Sequence, residues 1–178
     1  MRKIVLTFGL IAGAILSAMM LITLPFMDRI GFDKGEIIGY TTMVLAFLMV
    51  FFGVKSYRDN VAGGSVTFGR ALKVGLMIMA VASVCYVATW QLVYYKLAPD
   101  FGEKYAAHTV EKERRSGATD AQIAAKMKEA AEFQEMYKNP LANIAFTFLE
   151  PLPVGIALTL VTALVLSRRR RVRSAAVA

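Results

Sequence analysis

Uncharged, apolar positions in this chain gather into four blocks, at 4–27, 37–54, 74–95 and 141–167, with polar segments between them. Each block approaches or exceeds the ~20 residues a helix needs to cross the ~30 Å hydrocarbon core of a bilayer. The apolar residues fill whole blocks rather than recurring at the spacing of an amphipathic core helix, as expected of segments surrounded by lipid. Only Glu150, with Pro151 and Pro153 beside it, interrupts the last block. The pattern predicts a single all-α domain, an integral membrane four-helix bundle.

Between the third and fourth blocks the chain stays polar over residues 96–140. This segment reads as two helices split at Ser116-Gly117. Thr119 with Gln122 forms a capping box, Ile123, Met127, Ala130 and Tyr137 fall near one helical face, and Asn139-Pro140 ends the second helix. The expectation is an amphipathic helical hairpin on the extracytoplasmic side, serving as a solvated cap on the bundle, as a partner surface or as an element lying on the membrane. Its eight basic residues are balanced by eight acidic ones, which argues against strong attraction to anionic lipid.

Composition agrees with a membrane protein: 57% of the 178 residues are hydrophobic and 19% charged. Arg2 and Lys3 ahead of an apolar run resemble a secretory signal, but the run is longer than the roughly 7–15 residues of a signal core, which predicts a retained first span. Cys85, the only cysteine, excludes an intramolecular disulfide and reads as a small buried hydrophobe. Lys and Arg are nearly tied between the two sides, so clustering at span ends decides orientation. Arg168, Arg169, Arg170 and Arg171 abut the fourth block within the 168–178 tail and predict that both termini are cytoplasmic.

That orientation makes the polar stretch between blocks two and three a cytoplasmic connector. Lys55, Arg58, Arg70 and Lys73 would anchor its helices at lipid headgroups, Gly63-Gly64 would supply the turn, and Thr67 would cap the third helix. The glycine spacing of "GGSVTFG" matches neither a Walker loop nor a dinucleotide fingerprint. The stretches "FFGVKSYRDN", "GGSVTFGRALKVGL" and "YYKLAPDFGEKY" resemble the bacterial membrane-protein family known as domain of unknown function 4199, over about residues 4–167. The resemblance implies a four-span protein of the bacterial inner membrane and brings no activity and no site residues.

Candidate chemistry centres on Glu150, because a charge in hydrocarbon costs at least ~2.5 kcal/mol on insertion scales. Two geometries compete. A continuous helix from Leu141 would put Glu150 ~14 Å down, near mid-membrane; a helix broken at "EPLP" would leave it near the outer boundary, and the two prolines favour the break. Gly9, Gly13 and Ser17 in the first block, and Gly155, Thr159, Ala163 and Ser167 in the fourth, form small-residue faces suited to packing inside the bundle, with homodimerisation second. Tyr86, Trp90, Tyr94 and Tyr95 read as an interfacial aromatic belt.

His108, the only histidine, reads as a solvated surface residue; with Glu111 it makes too few ligands for a metal site, so no metal or cofactor is expected. The net charge of +8 is explained by lipid headgroups at span ends rather than by nucleic acid. The leading functional reading is a non-enzymatic structural, accessory or regulatory membrane subunit, whose partners are the lipid bilayer and a second membrane protein or another copy of itself. The alternative is a small oligomeric transporter or proton-linked carrier using Glu150. A membrane enzyme pairing Glu150 with His108 ranks last.

Overall fold

The computed structural model describes residues 1–167 and is helical nearly throughout. Helix α1 spans Arg2–Thr23 and passes through a 3-10 turn at Leu24–Phe26, which holds Pro25, into the short α2, Met27–Ile30. Gly31, at φ 76°, reverses the chain into α3, Phe32–Asn60. Helix α4 spans Phe68–Leu92 and ends in a π-helical turn, Val93–Leu97. The hairpin helices α5, Phe101–Arg115, and α6, Asp120–Tyr137, follow, and then α7, Pro140–Leu149, and α8, Leu152–Ser167.

Four stretches are long and apolar enough to cross a membrane: Arg2–Ile30, Phe32–Asn60, Phe68–Leu97 and Pro140–Ser167. They overrun the sequence blocks, most visibly in α3, which continues through Lys55 and Arg58 to Asn60. Backbone hydrogen bonding does not stop where side chains become polar, so a helix extends until a residue breaks it. At the end of α3 the breakers are Gly63 and Gly64, both in the left-handed region, where the Gly64 N–H donates to the Arg58 carbonyl at 2.9 Å. Thr67 occupies the N-cap position of α4 in an extended conformation, although its side chain caps nothing.

Helix α4 packs against α1, α3 and α8, and α3 packs against α1 and α8, so these two form the centre of the bundle. Small residues set the closest approaches. A Cβ on Gly9 would lie 2.6 Å from the Val81 Cβ, and one on Gly13 would lie 2.6 Å from the Cys85 Cβ. One on Gly75 would meet Thr159 Cγ2 at 2.6 Å, and Gly155 abuts Met79. Ser17 accepts a hydrogen bond from the Thr89 hydroxyl at 2.7 Å, and Ala163 is fully buried. The small-residue faces are therefore used between helices of one chain, where close backbone approach maximises van der Waals contact in the absence of a hydrophobic driving force. Cys85 is half-buried against Gly13 rather than sealed in the core.

Ala12, Ala46, Phe47, Val50, Val74, Ile78 and Ala82 fill the core. The outer surface of the same helices is equally apolar: Leu10, Leu45, Val84, Val161 and Leu164 are each more than half exposed. Such a surface suits contact with hydrocarbon. At the end of the bundle bearing the α3–α4 loop, Lys55, Arg70 and Lys73 are exposed, while Arg58 pairs with its neighbour Asp59 at 2.7 Å. Arg168, Arg169, Arg170 and Arg171 lie outside the described residues. At the opposite end, α5 and α6 pack against each other as a helical hairpin.

Candidate functional site

The last apolar stretch bends at Glu150-Pro151, the expected break, but without leaving the bundle. The Glu150 N–H still bonds the Phe146 carbonyl at 3.2 Å, and the Gly155 N–H reaches the Pro151 carbonyl at 2.9 Å, so α7 and α8 form one interrupted rod. Both halves contact α4. The bend brings the Glu150 carboxylate to Tyr86, whose hydroxyl donates to Oε2 at 2.8 Å. At 1.5 Å per residue, Tyr86 stands ~20 Å along α4 from Lys73 and ~15 Å from Lys96, and Glu150 stands ~18 Å from Lys138. Along α4 and α7 Glu150 is thus several turns from the nearest lysines, while Glu36, one turn from Tyr40 on α3, borders the same cavity.

A chain of polar groups climbs from this level toward the hairpin. The Trp90 indole N–H donates to the Tyr137 hydroxyl at 3.0 Å, and that hydroxyl shares a 3.0 Å hydrogen bond with Thr147. Gln91 Nε2 donates to Asn143 Oδ1 at 2.8 Å, and Asn143 is completely buried. Burial pushes the Tyr137 phenol above its ordinary value, so it remains a neutral hydroxyl. Sequence analysis singled out Glu150 alone within the apolar blocks; the structure adds Asn143, Thr147 and Gln91 as hydrogen-bonded polar groups there. Asn143, Thr147 and Glu150 recur at i, i+4 and i+7, the spacing of one helical face. That spacing was the signal available to find them. Tyr86 and Trp90, expected in an interfacial belt, instead turn inward to Glu150 and Tyr137.

Beside this chain lies a cavity of about 750 Å³, within the ~300–1,000 Å³ usual for small-molecule sites. Its floor holds Glu150, Tyr86, Leu16 and Met43, its walls include Tyr40, Trp90, Tyr137 and Thr147, and the hairpin roofs it. Glu150 is exposed, because it borders this cavity instead of packed side chains.

One face of each hairpin helix forms the roof. Phe101, Tyr105, His108 and Lys112 on α5 line the cavity at helical spacing, as do Lys126, Ala130, Phe133 and Tyr137 on α6. The Thr119–Gln122 capping box opens α6 as expected. Ala130 and Tyr137 are on the predicted inward face, but Met127 is turned out, 55% exposed, and Phe133 and Lys126 take part in its place. The ring of Phe32 at the start of α3 is wedged against Phe101, Tyr105 and His108, with ring centres 5.1–5.6 Å apart. Asp33 beside it receives Lys112 Nζ at 2.6 Å and lies 3.4 Å from His108 Nε2. That carboxylate holds the Lys112 ammonium above its ordinary range. His108 is therefore a roof residue with an acidic partner, not a free surface histidine.

Among the described residues no cluster of three or more His, Cys, Asp or Glu is placed to hold a metal. Glu150 and His108 border the same cavity from floor and roof, and no hydrogen bond joins them. The family profile for proteins of unknown function DUF4199 matches residues 7–168. The chain belongs to that family. No curated protein and no solved structure matches it. The match covers the first long apolar stretch from residue 7, the other three in full, the hairpin and Glu150.

Proposed function

We propose that this protein is a carrier of the bacterial inner membrane that binds a small solute in the roofed cavity and exchanges it against a proton held at Glu150. Both termini are cytoplasmic in this reading and the hairpin faces the other side, as the basic residues at the α3–α4 end favour. The observation that carries the proposal is the cavity of about 750 Å³ ending on a carboxylate that a tyrosine hydroxyl holds at 2.8 Å. An acid within an apolar span has a cost unless it is used, and ionisable groups inside spans belong to solute and proton pathways as a rule. A purely structural or regulatory subunit, the leading reading of the sequence, accounts for the small-residue packing and leaves the cavity unexplained.

Infrared pH-difference spectra of the purified protein in lipid nanodiscs test this reading. A protonated-carboxyl band that vanishes as pH rises, and that is missing from Glu150→Gln, is the expected result. Wild-type and Glu150→Gln spectra that coincide across the pH range would remove the proton-linked reading and return the accessory-subunit reading to first place.

A further inference from the structure

The charges around the cavity are unequal, and the inequality defines what it takes. Four acids border it: Asp33, Glu36, Glu129 and Glu150. Of the basic residues on its wall, Lys112 is paired with Asp33 at 2.6 Å and Lys126 with Glu129 at 3.0 Å, while His108 also addresses Asp33. Two acids remain. Among the described residues no basic side chain lies within ion-pair distance of Glu36, toward the roof, or of Glu150, at the floor.

The surface between these two carboxylates is aromatic. Tyr40 and Tyr86 approach Glu150 from α3 and α4, Trp90 and Tyr94 stand a turn and two turns above Tyr86, and Phe101 meets the Trp90 ring edge to face at 4.9 Å. Aromatic faces carry negative charge in their quadrupoles and attract cations, more strongly where water is excluded. A compact, heavily hydrated ion would lose its water without a full ligand shell, because the floor offers one carboxylate and hydroxyl groups. An organic cation with its charge spread under apolar surface loses little hydration and gains both attractions.

We propose that the cavity is a site for a monovalent lipophilic organic cation, with Glu150 as counter-ion and Trp90, Tyr86 and Tyr40 as its aromatic wall. The inference rests on the carrier reading and names its substrate class. Cation and proton compete for one carboxylate: arrival of the cation at a protonated Glu150 releases one proton to the water of the cavity, and protonation expels the cation. The groups facing Glu150 are Tyr86 from α4, Tyr40 and Glu36 from α3, and Tyr137 from α6, while Asp33, His108 and Glu129 border the cavity nearer its roof, with Asp33 paired to Lys112 and Glu129 to Lys126.

Trp90 is the only tryptophan, so fluorescence reports on this wall directly. Tetraphenylphosphonium and its isosteric anion tetraphenylborate, titrated into the full chain in nanodiscs, separate charge from shape, and tryptophan octyl ester in empty nanodiscs supplies the blank for quenching by probe partitioned into lipid. Saturable quenching by the cation is expected, weakening as pH falls and losing about tenfold or more in affinity in Glu150→Gln, with no saturable quenching by the anion. Absent saturation by tetraphenylphosphonium, equal binding of the anion, or unchanged cation affinity in Glu150→Gln would each overturn the proposal. Should Glu150→Gln fail to fold, wild type supplies the check: cation affinity that does not weaken as pH falls would count against Glu150 as the counter-ion. A carboxyl band that titrates normally alongside failed cation binding refutes the substrate class alone, whereas a missing band refutes the carrier reading beneath it.

Discussion

The two halves of this bundle are built from the same four apolar stretches and pack in opposite ways. Toward the α3–α4 loop, Gly9, Gly75 and Gly155 let backbones close until a single added Cβ would collide with Val81, Thr159 or Met79. Toward the hairpin, Tyr40, Tyr86, Trp90 and Phe146 hold the helices apart around open space, and the α7–α8 bend carries the chain around it. The difference is one of side-chain size along a helix of nearly uniform hydropathy. Small residues make one half a rigid clamp, and aromatic residues with hydrogen-bonding tips make the other half a cavity with hydrogen-bonded polar groups on its wall.

Breaking the clamp is expected to have the largest effect. Gly155→Leu forces a branched side chain into Met79 and Phe47, and overpacking of this kind costs about 1–3 kcal/mol. Denaturant titration in detergent should show the loss, and a variant as stable as wild type would mean that the close approach at Gly155 is dispensable. Within the open half, Asn143→Ala strands the Gln91 amide and the loss should be about 1 kcal/mol, since hydrogen bonds between membrane helices average below that and seldom exceed ~1.7 kcal/mol. A destabilisation matching that of Gly155→Leu would contradict the claim that the clamp carries the fold.

Glu150→Gln sharpens the contrast from the other side. The amide keeps an acceptor for the Tyr86 hydroxyl and fits the same space, so the unfolding midpoint should stay close to wild type while the infrared pH response disappears. A large loss of stability with an intact response would make Glu150 a structural residue. The smallest effect is expected at the roof. Lys112→Ala removes an exposed clasp to Asp33, which should leave the unfolding midpoint unchanged and speed hydrogen exchange in α5, with added salt reproducing the effect in wild type. Exchange in α5 unaltered by either would show that aromatic packing on Phe32 alone holds the roof down.

Much of this architecture is legible in the sequence. Block length gives the four long helices, the Thr119–Gln122 spacing gives the start of α6, and two prolines beside Glu150 give the bend. The inward side of each helix is not legible. Segments that are apolar all round carry no stripe to mark the bundle face, so Tyr86 and Trp90 could not be told from belt residues by composition. Asn143 and Thr147 are marked by their spacing to Glu150, but their partners Gln91 and Tyr137 come from distant parts of the chain and are not. Likewise, the placement of Met127 outside and Phe133 inside follows from how α6 rolls against α5 and α7, a tertiary choice that α6 alone does not encode.

The central claim is that Glu150 stands at the floor of a cavity beneath the hairpin and open to water from that side, and cysteine access tests it directly. In a Cys85→Ser background, Glu150→Cys should react with a small membrane-impermeant thiol reagent applied from the hairpin side. Leu141→Cys, at an exposed position on α7, serves as the labelling control. A residue 150 thiol that stays unreactive while the control labels readily would mean that Glu150 is sealed from the cavity, and would contradict the account.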